Sequence, residues 1–258
     1  MKARCNKNVF LARSGLVAAG LLATGLAHAG HPLVSDDTGT QGTGNWQFEA
    51  NTDYTSVKEE GIKSRSWAVN AALAYGLIEP LDISINVPLQ RDKTDGESAQ
   101  KGIGDVSLVA KWRFYENDNG WSVALKPEVT LPTGKESKGL GAGRATAALS
   151  LLGQYEQAGW IWLVNAGLTY NDNKVDERKS LWSASTALLY SPNEQWTFAV
   201  DTGLSRNPDK GSSKKPAYAV LGAIYHVNKD LDLDIGYQRS LQSGPTEHTV
   251  GVGLTMRW

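Results

Sequence analysis

Cysteine is nearly absent from this sequence. The 258 residues contain a single cysteine, Cys5, and it lies in an N-terminal segment that we expect to be removed on export. The remaining chain then has no thiol. This excludes disulfide bonds, thiolate metal sites and cysteine nucleophiles.

The sequence also lacks an apolar run long enough for a membrane-spanning helix. The longest candidate, residues 15–27, has 13 residues, whereas a spanning helix needs about 20. A small-x-small site at residues 27–29 follows this run, and four basic residues precede it, namely Lys2, Arg4, Lys7 and Arg13. This is the pattern of a Sec-type signal peptide. We therefore expect residues 1–29 to be cleaved and the mature chain to begin at Gly30.

Excess positive charge is missing as well. Without the four basic residues of the leader, 22 Lys and Arg stand against 27 Asp and Glu, a net charge of −5. That balance argues against nucleic acid as a partner. The chain has only 4 histidines, and no spacing among them is diagnostic of a metal site. The sequence therefore predicts no metal and no cofactor.

Alternation between apolar and polar residues is abundant instead. In residues 45–55, NWQFEANTDYT, the even positions are apolar or weakly polar and the odd positions through Asp53 are strongly polar. A period of two predicts a β-strand with two unlike faces. Twelve segments share this pattern, and they begin near residues 45, 66, 81, 105, 121, 145, 160, 181, 195, 217, 231 and 247.

The connections between these segments are alternately short and mostly longer. The short ones include IEP and SPNE, and the longer ones include DKTDGESAQKGI and SRNPDKGSSKK. This asymmetry is typical of bacterial outer-membrane barrels. We predict an all-β protein, a transmembrane antiparallel up-and-down β-barrel of about 12 strands. The barrel would span residues 45–258, and residues 30–44 would form a polar periplasmic N-terminal segment.

Aromatic residues indicate which face meets lipid. On this topology two sets lie on the apolar face near the strand ends, as interfacial girdles do. The periplasmic set is Trp46, Tyr75, Phe114, Trp121, Tyr155, Trp160, Tyr190, Trp196, Tyr225 and Trp258, and the outer set is Tyr54, Trp67, Tyr170, Trp182 and Tyr237. A soluble β-sandwich or lipocalin-like barrel would instead turn its apolar face inward. The girdles favour lipid outside and a wet lumen inside.

The polar face supplies the candidate lumen residues. The candidates for the lumen and its constriction are Glu49, Asp53, Lys111, Arg113, Lys126, Glu128 and Asp201. Lys126 and Glu128 share a face near mid-height, with Lys111 on the neighbouring strand, so they are the first choice for a constriction. The alternative is that these charges pair across the lumen and stiffen the barrel.

One part of the inner face is apolar. The candidates for this patch are Leu152, Ile161, Leu163, Leu181 and Leu189. A lumen that is half apolar and half polar would suit a small amphipathic solute, such as an aromatic acid or a phenol. Two alternatives stay open: the N-terminal segment covers the patch, or a bulge shifts the phase of these strands.

Several segments resemble a known family. YGLIEPLDISINVPL, GIGDVSLVAKWRFY, KPEVTLPTGKESKGLGAG and LDLDIGYQ are similar to outer-membrane proteins named after the meta-cleavage pathway of phenol degradation. The resemblance covers most of the mature chain. It implies a β-barrel, an outer-membrane location and a pore, and the family name implies uptake of aromatic compounds.

These observations together predict a channel rather than an enzyme. We expect passive passage of small solutes, with aromatic or amphipathic compounds as candidates. The first alternative is a non-transporting envelope barrel with a blocked lumen. The second is a lipid-hydrolysing enzyme that uses His248 with Ser240 or Ser243, because nucleophile activation needs such a pair.

The expected partners follow from the location. They are outer-membrane lipid and lipopolysaccharide, a small-molecule solute and, during biogenesis, the barrel-assembly machinery, which the aromatic terminus Trp258 would engage. We expect a monomer in the outer membrane of a Gram-negative bacterium.

Overall fold

A computed structural model of the protein describes residues 30–59, 61–242 and 246–258, so the expected signal peptide lies outside the described residues. Thirteen β-strands and one short 3-10 helix, Glu136–Lys138, make up the described chain. The strands are β1 Trp46–Glu59, β2 Ile62–Ile78, β3 Leu81–Thr94, β4 Gln100–Ile103, β5 Val106–Glu116, β6 Trp121–Leu131, β7 Thr146–Gln157, β8 Trp160–Tyr170, β9 Ser180–Asn193, β10 Trp196–Ser205, β11 Ala217–Asn228, β12 Leu231–Ser240 and β13 Thr246–Arg257. No helix in these ranges has the length and apolarity that a membrane crossing requires.

The strands form one closed antiparallel sheet. Apart from β4 and β5, each strand pairs with its sequence neighbours, and β13 returns to pair with β1. Strands β4 and β5 both pair with β3, through Leu89 with Ile103 and through Asn86 with Ser107. They are two parts of one position in the wall, separated by Gly104 and Asp105. The predicted barrel of twelve strands is therefore confirmed.

Closure pairs the two ends of the barrel chain. The Trp46 N–H donates to the Trp258 carbonyl at 2.9 Å, and the Trp258 N–H donates back at 3.1 Å. These bonds satisfy backbone groups that would otherwise lie at an open sheet edge. In hydrocarbon such groups have no water to bind, which is why spanning sheets close into barrels.

The apolar face of the sheet points outward, as predicted. Leu168, Val200 and Leu221 are 66%, 54% and 60% exposed. The aromatic girdle residues pack in pairs across neighbouring strands, for example Trp46 on Tyr75 with ring centroids 4.6 Å apart, and Trp160 on Tyr190 at 4.3 Å. This belt with aromatic rims is the surface of a barrel in a bilayer. We assign the protein to the bacterial outer membrane.

Two hairpins extend further than the sequence pattern predicted. The alternating segments of residues 45–55 and from residue 66 onward predict a connection between them, but β1 runs to Glu59 and β2 begins at Ile62. Likewise, β4 occupies part of the predicted loop after β3. These extensions stand above the bilayer, where water wets both faces. Apolar alternation stops there, although strand pairing continues.

Candidate functional site: the lumen and the segment inside it

The interior of the barrel contains part of the chain's own N-terminus. Residues 31–41, here called the lumen segment, run along the inner wall, and Ser35, Asp36 and Thr38 are at most 3% exposed. This corrects the prediction of a periplasmic segment at 30–44. The physical reason is that its charged and polar groups find partners on the wall, and buried polar groups need such partners.

The C-terminal end of the lumen segment lies at the periplasmic rim. The Gln41 N–H donates to the Asp82 carboxylate at 2.9 Å, and the Thr40 hydroxyl donates to the Glu79 carbonyl at 2.8 Å. Further along, the Thr38 N–H donates to the Gln154 side chain at 3.2 Å. These contacts hold residues 40 and 41 at the β2–β3 turn and residue 38 on the inner face of β7.

Asp36 is the strongest electrostatic contact of the lumen segment. Its carboxylate forms an ion pair with Lys126 and a second one with Lys111 at 2.9 Å. The Asn165 side chain makes two hydrogen bonds to the Asp36 backbone. Its Oδ1 accepts from the Asp36 N–H at 2.6 Å, and its Nδ2 donates to the Asp36 carbonyl at 2.9 Å. Lys111 and Lys126 thus both contact one carboxylate, which the sequence analysis did not identify as a lumen residue.

Asp201 holds the next stretch of the lumen segment. Its carboxylate accepts from the backbone N–H groups of Val34 and Ser35 at 2.8 and 2.7 Å, and from the Ser35 hydroxyl at 2.9 Å. The Ser35 hydroxyl also lies 2.9 Å from that of Ser185. A carboxylate with this many donors is satisfied without a cation. Asp201 is therefore a docking residue for the lumen segment.

His31 lies between two wall carboxylates. Its Nε2 is 3.3 Å from Asp53 Oδ1, and its Nδ1 contacts Asp234 Oδ1. Beside it, a groove in the wall is lined by glycines. A Cβ added at Gly222 or Gly236 would lie 2.4 Å from Pro32, and one at Gly251 would lie 2.3 Å from His31. These glycines leave the space that His31 and Pro32 fill.

The predicted apolar patch is covered by the lumen segment. Leu163, Leu189, Ala187 and Ala199 form one buried cluster, against which Leu33 and Ile161 pack. This is the alternative in which the N-terminal segment covers the patch. Leu152 is buried and Leu181 half-buried, and both lie outside this cluster.

A small cavity of about 50 Å³ remains beside Asp36. Lys111, Lys126, Glu49 and Asp82 are among the residues that line it. Glu49 Oε2 is buried there, with no hydrogen-bond partner among the described residues. A cavity this size holds only a few water molecules. The cavity itself therefore has no room for a larger solute while the segment is in place.

Arg113 and Glu128 do not line this cavity. Arg113 lies near the periplasmic rim and pairs with Glu116 at 3.2 Å. Glu128 is buried and accepts from the Thr130 hydroxyl at 3.3 Å. Lys126 forms its ion pair with Asp36.

The hydrolase alternative finds no support in the geometry. His248 is on the outer side, where its Nδ1 lies 2.5 Å from the Tyr237 hydroxyl. Ser240 pairs with Tyr218, whose hydroxyl bonds to Asp201 in the lumen, so Ser240 belongs to the inner face. Ser243 lies outside the described residues.

Comparison with known proteins supports the architecture. No match was found among curated proteins. Among solved structures, an outer membrane channel from Pseudomonas putida F1 is similar with a TM-score of 0.72 at 17% identity, over 86% of this chain and 98% of that one. The translocator domain of the autotransporter NalP from Neisseria meningitidis has a TM-score of 0.55 at 15% identity, over 84% and 89% of the two chains. At such identities the likeness concerns the fold.

A family model covers all of the residues that the structure describes. A family model described as "Putative MetA-pathway of phenol degradation" matches residues 29–258. The resemblance seen in the sequence segments is thereby confirmed. The chain belongs to this family of the phenol-degradation MetA pathway.

Proposed function

We propose that the protein is an outer-membrane channel for small solutes, and that the lumen segment closes it in the observed state. One observation carries this proposal: the barrel interior encloses eleven residues of polypeptide, 31–41. An interior of that width is not filled by the side chains of its own wall. Barrels of this size lie between small filled ones and large open porins.

The docking contacts are of a kind that water can replace. Apart from Leu33 and Pro32, the lumen segment is held through hydrogen bonds and ion pairs to wall residues. When the segment leaves, water can solvate Lys111, Lys126 and Asp201, so exchange between docked and released states costs less than opening an apolar core. We assign these three as lumen residues of the open state, with Glu49 and Asp53.

The wall also favours a solute class. The Lys111–Lys126 pair and the apolar cluster are contacted by Asp36 and Leu33, which are three residues apart and hence within about 11 Å along the chain. A molecule with a carboxylate at one end and an apolar ring at the other would reach both. We propose small amphipathic anions, such as aromatic acids, as solutes, in keeping with the family description.

The contacts also favour a second candidate, a non-conducting barrel. Asp36 satisfies two lysines and His31 satisfies two carboxylates. If the lumen segment never leaves, these pairs stiffen the wall and the protein has a structural role in the envelope.

Conductance in planar bilayers separates the two candidates. The proteins to compare are the full chain and a variant that lacks residues 31–41. The channel proposal expects small or intermittent currents from the full chain and steady ohmic currents from the deletion variant. Silence of both, when folding is shown by heat-modifiable migration, would establish the non-conducting barrel.

Uptake into liposomes tests the solute class. We expect the deletion variant to admit benzoate faster than a neutral sugar of similar mass, because the lysine pair attracts the carboxylate. Replacing both Lys111 and Lys126 by Gln should remove that preference. Lys138→Gln, at the 3-10 helix outside the lumen pair, is the matched control and should retain it.

The remaining assignments complete the proposal. We assign residues 1–29 to a cleaved signal peptide and 45–258 to the barrel, which acts as a monomer. Partners in the envelope would be outer-membrane lipid, lipopolysaccharide and the barrel-assembly machinery. No catalytic step is part of the proposal.

A further inference from the structure

A second cavity lies far from the lumen segment, at the outer rim. It measures about 190 Å³ and lies between the β8–β9 and β10–β11 connections. Four cationic side chains line it together with one indole ring, and no acidic residue is among the described lining groups: Arg178, Arg206, Lys214, Lys215 and Trp182. The side chains of Asn207, Ser212 and Ser213 complete the lining. We call this cavity the rim pocket.

The two arginines of the rim pocket are fixed by carbonyl groups. The Arg178 guanidinium donates to the carbonyls of Asn207 at 3.0 Å, of Lys210 at 2.9 Å and of Asp209. Arg206 donates to the Ser180 carbonyl at 3.1 Å. Carbonyl oxygens orient a guanidinium but carry no full charge. Both arginines therefore keep their positive charge available to an anion.

The nearby carboxylates are engaged elsewhere. Asp172 pairs with Arg144 and Lys179, both at 3.2 Å, and Asp176 pairs with Lys210. Asp209 accepts from the Gly211 N–H at 2.8 Å. Within the described residues, no salt bridge includes Arg178, Arg206 or Lys215, and Lys215 lies 5.6 Å over the Trp182 ring. Arg178, Arg206 and Lys215 thus have no carboxylate partner among the described residues.

Strand phase places the pocket on the lipid-facing side. Trp182 pairs with the outward Leu168, and Leu204, 42% exposed, pairs with Ala217. Arg206 lies two residues beyond Leu204, and Lys215 two residues before Ala217, so both continue the outward face above the apolar belt. Trp182 belongs to the outer girdle, the depth at which lipid headgroups begin. The ligand should therefore be an anionic headgroup and not a solute in the lumen.

We propose that the rim pocket binds a phosphate group of outer-leaflet lipopolysaccharide. Phosphate suits this site because guanidinium groups bind its oxygens with charge-assisted, bidentate hydrogen bonds. Trp182 packs beside the acyl chains while Lys215 reaches past its ring towards the same phosphate. The contact anchors the β8–β9 and β10–β11 connections to the membrane surface. It is independent of whether the lumen conducts.

Binding of three probes to the purified full chain in detergent tests this proposal. The probes are diphosphoryl lipid A, the same lipid after dephosphorylation, and inorganic phosphate. We expect diphosphoryl lipid A to bind roughly tenfold more tightly than its dephosphorylated form, because the phosphate contacts are charge-assisted. Inorganic phosphate should compete only at far higher concentration, since it lacks the apolar contacts.

Two double variants sharpen the test. Arg206→Gln with Lys215→Gln should abolish the preference for the phosphorylated lipid. Lys135→Gln with Lys138→Gln removes two cations from the β6–β7 connection, outside the pocket lining, and should keep it. Arg206→Lys with Lys215→Arg should keep most of it. Heat-modifiable migration shows that each variant is folded.

Three results would overturn the proposal. One is equal binding of the phosphorylated and dephosphorylated lipids by the full chain. Another is a preference that survives in the pocket variant. The third is displacement of lipid A by inorganic phosphate at concentrations as low as those of the lipid, which would make the pocket a site for free anions.

Discussion

The outer and inner faces of this barrel are built from the same strands but differ in what holds their contacts together. Outside, large apolar side chains such as Leu151 and Val200 present a belt to lipid, with aromatic pairs at its rims. Inside, polar side chains hold a segment of the same chain through ion pairs and hydrogen bonds. Stability of the outer face in lipid therefore depends on its apolar composition, whereas docking of the lumen segment depends on individual residue pairs.

The largest effect is expected where a single partner is removed from the inner face. Asp36→Asn should weaken docking of the lumen segment by about 3–5 kcal/mol, as when one side of a buried ion pair is lost. Reactivity of a single thiol measures this. Ser35→Cys supplies it, because the sequence has no cysteine other than Cys5, which lies in the expected signal peptide. Its labelling by a maleimide should be slow when Asp36 is present and fast when the Asp36→Asn substitution is added.

Asp118→Asn is the control for that experiment. Asp118 lies in an exposed periplasmic turn, and its loss removes the same charge without touching the lumen. Unchanged labelling in both variants would mean that the ion pairs of Asp36 do not hold the segment.

The outer face should tolerate no charge near mid-height. Leu151 is 49% exposed in the middle of β7, so Leu151→Arg should lower the free energy of unfolding by about 2–4 kcal/mol. Equilibrium unfolding in urea from lipid vesicles measures it. Gln238→Arg, on the inner face beside the buried Val220, should cost under about 1 kcal/mol, because it replaces a long polar side chain on the face that does not meet lipid. Equal costs would contradict the assignment of the two faces.

The glycine groove gives a smaller effect on the inner face alone. Gly222→Val places a side chain where Pro32 lies, so it should raise the labelling rate of Ser35→Cys by roughly tenfold, or about 1.4 kcal/mol of docking free energy. Gly153→Val is the matched control, because its Cβ meets its nearest atom, the Val164 carbonyl, at 3.6 Å. Equal labelling rates in the Gly222→Val and Gly153→Val variants would mean that the glycine groove does not hold the lumen segment.

The smallest effect is expected for an ion pair in water. Arg65 and Asp95 pair at 3.1 Å in the hairpins above the membrane, and both side chains are exposed. Asp95→Asn should change the free energy of unfolding by less than about 1 kcal/mol, because solvent screens such pairs. Urea titration of Asp95→Asn and of Asp36→Asn compares the loss of an ion pair in water with the loss of one inside the barrel. A larger loss from Asp95→Asn would reverse the comparison.

Much of the barrel could be predicted from the sequence because lipid imposes a strict period. Outward positions near mid-height of the described strands carry no Asp, Glu, Lys or Arg, although a few, such as Thr52 and Thr186, are not apolar. Strand β11, whose phase the sequence left open, has Leu221 outside and Val220 inside, and Tyr225 packs on the girdle residue Trp196. Strand β4 was missed because alternation fades once both faces are in water.

The placement of the lumen segment could not be predicted in the same way. Its docking depends on pairs far apart in sequence, such as Asp36 with Lys126, which no local period encodes. One signal was present: Gly222, Gly236, Gly251 and Gly253 all lie on the inner face of neighbouring strands. Such a strip of glycines marks a close approach by another backbone. The rim pocket was missed because its cations lie in connections without periodicity.

A disulfide trap tests most directly whether the lumen segment occupies the barrel. The Ser35 and Ser185 hydroxyls are 2.9 Å apart, so the Ser35→Cys, Ser185→Cys double variant should lose both free thiols on mild oxidation and yield a linked peptide by mass spectrometry. Ser35→Cys with Ser84→Cys, on the opposite wall, should stay reduced. If the first pair keeps its thiols under the same conditions, the segment does not lie where this account places it.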